Sequence, residues 1–267
     1  MTENKAGGAK AAGHGQSAFM ADYAGAQIHP SPNFNDRRAG SRVYMLIMHY
    51  TGMKTAEEAE RRLTDPQSQV SAHYLVREDG AIVQFVPESK RAWHAGVACW
   101  RGERDINSCS IGIEIAYPGE PAGRPYPALQ IAGVIALARN ILARHKSIKP
   151  AYILAHSDVA PERKIDPGGN FPWRKMAQAG IGLYVPPSPV KANGGTILGP
   201  GAKGRAVAEF QSKLADYGYN ICVNGVFDRQ TEWVMRAFQR RFRPQKVDGL
   251  ADISTLQTLE RLLVRLK

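Results

Sequence analysis

Val43 to Met48 is apolar at every position, with Arg42 before it and His49 after it. A run of this length suits a strand and falls far short of the ~18 residues of a membrane span. A strand that is apolar on both faces has to be covered on both, as in sheets with helices packed on each side. Arg42 to Tyr50 therefore reads as a buried central strand ending at His49. Other segments fit the same architecture. Thr55-Ala-Glu-Glu58 has the pattern of a capping box and starts a short helix to about Leu63. Val70–Val76 and Ala81–Val86 flank Asp79-Gly80, the signature of a hairpin. Ile111-Gly-Ile-Glu-Ile-Ala-Tyr117 alternates with period two, which puts the isoleucines on one face and Gly112, Glu114 and Ala116 on the other. Residues 127–145 carry apolar positions at helical spacing, and Tyr152–Ala155 is a further strand with His156 directly after it. The expected fold class is α/β: a mixed central β-sheet flanked by helices.

Composition changes after residue 185. Pro186-Pro-Ser-Pro189 and Ala192-Asn-Gly-Gly-Thr196 read as a linker. Beyond it lie three helical stripes: Val207/Phe210/Leu214/Tyr217, Val234/Phe238/Phe242 and Leu256/Leu259/Leu263/Leu266. Val223-Asn-Gly225, Asp228 and Thr231 are echoed by Val247-Asp-Gly249, Asp252 and Thr255, each a glycine turn followed by a polar helix start. A small C-terminal three-helix bundle is expected. The expected division is a flexible tail over 1–24, a catalytic part over 25–185, a linker over 186–198 and a helical domain over 199–267.

The chain has 35 Lys+Arg against 24 Asp+Glu, a formal charge of +11. Nucleic acid, anionic lipid and anionic cell-wall polymer all suit that balance. From Pro186 onward there are 13 Lys+Arg and 7 Asp+Glu, so the excess is concentrated in the helical part. Arg236, Arg240, Arg241 and Arg243 read as a solvated basic face rather than a nucleic-acid surface. Zinc-finger spacing is absent, no transmembrane segment is read, and no nucleic-acid partner is expected. Residues 1–20 show no apolar signal core and no lipoprotein cysteine. Cys99 and Cys109 bracket a loop, as a disulfide or as two thiols, and Cys222 is expected to be buried.

The chemistry concentrates at strand ends. His49 and His156 each close a strand and precede a polar loop, and Asp166 follows ten residues after His156. Two imidazoles and a carboxylate make a three-ligand zinc site with an open position, the pattern of hydrolytic zinc. Such an ion lowers the pKa of water to ~7. Glu114, between small residues, has room to act as a base. Lys164 lies two residues before Asp166 and would share its side of an extended chain, placed to stabilise negative charge.

Several stretches together resemble the zinc-dependent N-acetylmuramoyl-L-alanine amidases of type 2, a family related to phage amidases and peptidoglycan recognition proteins. They are Ser31-Pro-Asn-Phe34, Met48-His-Tyr-Thr-Gly52, Val70–Val76, Ala92-Trp-His-Ala-Gly96, Asn107–Glu114 and Ala155–Pro161 through Lys164–Gly168, in family order across about 30–182. The resemblance implies one Zn2+ per catalytic domain, held by His49, His156 and Asp166. It also implies Glu114 as general base, Lys164 as oxyanion stabiliser, and His73, Trp93, His94 and Asn107 as substrate-binding residues. The family cleaves the amide between the lactyl group of N-acetylmuramic acid and L-alanine, so peptidoglycan or muropeptides are the expected partners. Action on the cell envelope is expected, by periplasmic location or export, with the cytoplasm as the alternative given the missing signal. Phe210-Gln211, Gly218-Tyr219, Val223–Phe227, Phe238-Gln239 and Val247-Asp-Gly249 are similar to a helical peptidoglycan-binding domain, with departures at Asp228 and Leu250–Asp252.

Overall fold

The computed structural model describes residues 19–120, 124–190 and 196–266. Residues 1–18 of the tail expected over 1–24, and the centre of the expected linker, lie outside the described residues. The chain is already tied down by Asp22, whose carboxylate accepts from the Gln84 amide at 2.5 Å and the Glu88 backbone N–H at 2.9 Å.

Six strands form one mixed sheet. In chain order the strands are β1 (Ala26–Ile28), β2 (Phe34–Asp36), β3 (Met45–Met48), β4 (Tyr74–Val76), β5 (Ile82–Gln84), β6 (Lys90–Ala92), β7 (Ser110–Ile115) and β8 (Ile153–Ala155). The sheet order is β1-β5-β4-β7-β3-β8, while β2 and β6 pair separately. Only the β4–β5 hairpin is antiparallel within the sheet. Helices are α1 (Ala56–Thr64), α2 (Ile106–Cys109), α3 (Ala128–Arg144), α4 (His156–Val159) and α5 (Trp173–Gln178). Thr55 caps α1 by accepting from Glu58 N–H, as the motif predicts, and the Glu58 carboxylate accepts from Lys54 N–H.

The period-two pattern sorts the two faces. Leu46, Met48, Ile111, Ile113 and Ile115 pack under α3 and α5. The opposite face is shared. Leu75, Val83 and Ala116 pack on Ala56, Ala59 and Leu63 of α1. Met45, Ile47 and Leu154 belong to one apolar cluster with Phe210, Leu214 and Phe238 of the helical segment. A cleft opens on this face, at the carboxyl ends of β3, β7 and β8, where ligands bind in sheets of this kind.

The C-terminal segment consists of β9 (Thr196–Leu198), α6 (Arg205–Tyr217), α7 (Arg229–Phe242), β10 (Ala251–Asp252) and α8 (Ile253–Leu266), with β9 and β10 paired. The sequence echo is a structural repeat. Asp228 caps the Thr231 N–H, and Asp252 caps the Thr255 N–H. Gln211 brackets the first turn and Gln239 the second, each accepting from a turn glycine N–H.

The basic-face expectation is corrected here. Arg241 and Arg243 are 2% and 0% exposed. Arg241 pairs with Asp158, and Arg243 with Asp252. Arg205, Lys213, Arg236 and Lys246 are also ion-paired within the segment, so much of its excess charge is locally answered. Cys222 is exposed, contrary to expectation, because its turn faces solvent; Cys99 and Cys109 are buried free thiols. Among the described residues no helix is long and apolar enough to cross a membrane.

Candidate metal centre

Parallel register brings the two strand-end histidines together, since Met48 pairs with Ala155. The next residue on each strand is His49 or His156. Asp166 returns on the following loop, where its carbonyl accepts from Ser157 N–H at 3.0 Å. His49 Nδ1 lies 2.9 Å from His156 Nδ1 and 3.3 Å from Asp166 Oδ2, and His156 Nδ1 lies 2.9 Å from Asp166 Oδ2. All three residues are buried. Among the described residues this is the one group of His, Cys, Asp and Glu found converging on a possible metal position.

The hydrogen-bond network assigns the tautomers. His156 Nε2–H donates to Ala95 O at 3.1 Å, which leaves a lone pair on Nδ1. For His49 the chain of bonds starts at Ser110. Ser110 Oγ donates to Ile106 O at 2.5 Å, so it accepts from His94 Nε2–H at 3.1 Å. His94 Nδ1 then accepts from His49 Nε2–H at 3.0 Å, and His49 Nδ1 keeps its lone pair. Two lone pairs and a carboxylate oxygen face one another with no proton between them, the donor set a divalent cation needs. Protonation states agree. Burial and the neighbouring His156 push His49 down to about 4. Burial pushes Asp166 up, but the imidazoles outweigh it and hold the carboxyl well below its usual range.

Glu114 stands on β7 at the wall of the same cleft, a cavity of about 170 Å³ that Lys164, Trp93, Tyr50 and Arg62 also line. Its Oε2 is sealed from solvent and has no hydrogen-bond partner. An orphaned carboxylate oxygen beside a ligand triad fits a site built to receive a further polar group. Burial first, and the Asp166 charge second, push Glu114 up to about 8, against the opposing pull of Lys164. Lys164 and Asp166 both line this cavity.

The flanking small residues have a different purpose from the one read in the sequence. A Cβ on Gly112 would lie 2.5 Å from the His94 ring, so this glycine admits His94, not substrate. Ala116 packs under α1. The four expected substrate contacts separate. Trp93 lines the cleft, its Nε1–H donating to Asn35. His94 lines it too, but both its ring nitrogens are spent on His49 and Ser110. Asn107 does not line the cleft but a neighbouring cavity, and its Oδ1 accepts from the His94 and Ala95 N–H groups. His73 does not line the cleft. It is fully buried, accepting from Gly112 N–H and facing Arg37 and Lys90 O. Sequence reasoning did not find the supporting roles of Ser110 and Asp158. Asp158 had one signal, its place two residues beyond His156.

Both parts of the chain are similar to known proteins. The sequence family described as N-acetylmuramoyl-L-alanine amidase matches residues 39–169, and a peptidoglycan binding domain family matches residues 203–259. The N-acetylmuramoyl-L-alanine amidase AmiD of Escherichia coli is 40% identical over 237 residues, 83% of this chain and 83% of the relative. The 1,6-anhydro-N-acetylmuramyl-L-alanine amidase AmpD of the same organism is 34% identical over 57% of this chain and 90% of its own. The AmiD structure, solved with anhydro-N-acetylmuramic acid-L-Ala-D-gamma-Glu-L-Lys, superposes with a TM-score of 0.70 at 34% identity, covering 87% of this chain and 98% of that one. AmpDh3 of Pseudomonas aeruginosa, solved with anhydromuramic pentapeptide, gives 0.69 at 29% identity over 84% and 92%. With a strand-end triad, a buried glutamate and a relative of this similarity across most of its length, the chain belongs to the N-acetylmuramoyl-L-alanine amidase family.

Proposed function

We propose that this protein is a zinc amidase that hydrolyses the bond between the lactyl group of N-acetylmuramic acid and the L-alanine of a peptidoglycan stem peptide. The observation that carries the reading is the juxtaposition of His49, His156 and Asp166 with the unpartnered Oε2 of Glu114 in one cleft. His49 and His156 through Nδ1, and Asp166 through Oδ2, would hold one Zn2+. A bound zinc supplies Lewis-acid chemistry, activating water near neutral pH and drawing charge from a carbonyl. Glu114 takes the proton of the attacking water on its carboxylate and returns it to the leaving amine nitrogen. Burial holds the Glu114 carboxyl near neutrality, where it both accepts and gives a proton. The Lys164 ammonium stabilises the developing oxyanion, and the half-buried face of Trp93 offers an apolar platform to a sugar or peptide.

Two relatives of this chain were solved with anhydromuramyl peptides, which favours peptidoglycan-derived muropeptides as substrate. The segment matching a peptidoglycan binding domain adds a tether to polymer, and tethering raises effective concentration on a repeating substrate. The site of action is then the cell envelope. The division into a catalytic part over 25–185 and a helical domain over 199–267 remains part of this reading.

The test is to digest purified sacculi and soluble anhydro-muropeptide side by side, with and without a chelator, and identify products by mass. Release of stem peptide with a free L-alanine amino group, lost on chelation and restored by Zn2+, is expected. Cleavage of a glycosidic or peptide–peptide bond, or cleavage indifferent to the chelator, would refute the assignment.

A further inference from the structure

Two buried side chains of the helical segment, Arg241 and Tyr219, reach the frame of the metal centre. Arg241 of α7 is 2% exposed and crosses the boundary between the two parts. Its Nη1 donates to Asp158 Oδ2 at 2.6 Å and its Nη2 to Ile153 O at 2.7 Å, while its guanidinium stacks on Trp173 at 4.2 Å. Asp158 is fully buried and accepts two more bonds, from the Tyr219 hydroxyl at 2.8 Å and the Ala155 N–H at 2.9 Å. Ala155 directly precedes His156, and Ser157 N–H donates to Asp166 O at 3.0 Å. The turn clamped by Asp158 therefore carries one ligand and holds the backbone of a second. A buried carboxylate keeps its place only where its charge is answered, and here the answering charge comes from α7.

We propose that Arg241 and Tyr219 are positioning residues of the metal centre. Through Asp158 they set the 155–158 turn that presents His156 and Asp166. The helical segment is then part of the frame of the active site, whatever else it binds. This rests on the zinc reading above.

Arg243 supplies an internal control. It is equally buried, but it bonds Thr255 and pairs with Asp252, both inside the segment. Loss of either arginine loosens the segment; loss of Arg241 alone releases the turn. Full-length wild type, Arg241→Met, Arg241→Lys, Arg243→Met and Tyr219→Phe are titrated with Zn2+ against a competing chelator, and kcat and KM are measured on one muropeptide. Arg241→Met should bind zinc roughly 10- to 100-fold more weakly, the usual cost of losing an outer partner, with kcat lowered and KM little changed. Arg241→Lys should recover part of the loss, and Arg243→Met should keep wild-type zinc affinity. Tyr219→Phe removes one hydroxyl, should shift affinity the same way by less, and decides the matter if Arg241→Met does not fold. Unchanged zinc affinity in Arg241→Met or Tyr219→Phe overturns the proposal, as does an equal loss in Arg243→Met. Wild type that binds no zinc overturns the zinc reading itself.

Discussion

His49 and His156 occupy matching places at the ends of adjacent parallel strands, yet different parts of the chain hold them. His49 is held from within the sheet region. Its Nε2–H points to His94, which points to Ser110, which ends on the Ile106 carbonyl. His156 is held partly by Ala95 O and partly by a turn whose carboxylate, Asp158, is answered by Arg241 from α7. The first frame stays within the sheet region and fits around a glycine. The second depends on a buried ion pair spanning 83 residues of sequence. A cleft that looks like the property of one region is thus framed by two, and each frame can be broken separately.

The largest expected effect touches neither frame. Glu114→Gln keeps the shape of the side chain and removes its ability to carry a proton. It should lower kcat by roughly 10²- to 10⁴-fold while zinc stoichiometry, measured by elemental analysis, stays unchanged. Breaking the His49 frame comes next. Gly112→Ala places a methyl 2.5 Å from the His94 ring, so that ring must move and release His49 Nε2–H. Zinc affinity should fall roughly 10- to 100-fold, and stability should fall by about 1–3 kcal/mol from overpacking. The milder Ser110→Ala should shift affinity in the same direction by less.

Stability should also depend on pH through Glu88, which does not line the cleft. Burial pushes Glu88 up, but bonds from His145, Arg144 and Tyr74 outweigh it and hold its carboxyl down at about 2. Because the folded value is depressed, the stabilisation is complete above the ordinary carboxylate range. It is lost as pH falls from about 4.5 towards 2. Integrated over that window it is on the order of 3 kcal/mol. Urea unfolding of wild type and Glu88→Gln should converge as pH drops through this range; parallel curves would count against the assignment. The smallest effects belong to the repeat. Asp228→Ala should cost about 1 kcal/mol as a lost helix cap. Asp252→Ala should cost more, because the same carboxylate also faces the buried Arg243. Neither should alter zinc affinity.

Much of this site was legible in the sequence because it is built from strand ends. An apolar run closing on His49, a second closing on His156 and an alternating strand carrying Glu114 fix which residues face the cleft, since side chains alternate and parallel strands align their ends. What misled was the reason for small residues. Gly112 looks like open space beside Glu114, and only the packed ring of His94 shows what fills it. His73 shared a motif with cleft residues but points into a buried network with Arg37. Arg241 was hidden by its chemistry. It follows Val234 and Phe238 at helical spacing, on the buried stripe of α7, yet an arginine among arginines reads as solvated face until its partner is known. Asp158 is that partner, and nothing local in the sequence announces a contact across 83 residues. The three stripes of the helical segment were readable for the opposite reason: spacing along one helix is local.

Metal content of the intact chain tests the central claim most directly. After stripping and reloading with Zn2+, wild type and Glu114→Gln should each retain one equivalent through gel filtration, while His49→Ala, His156→Ala and Asp166→Ala should not. A wild-type chain that retains no zinc, or single-ligand variants that hold it as tightly as wild type, would contradict the account.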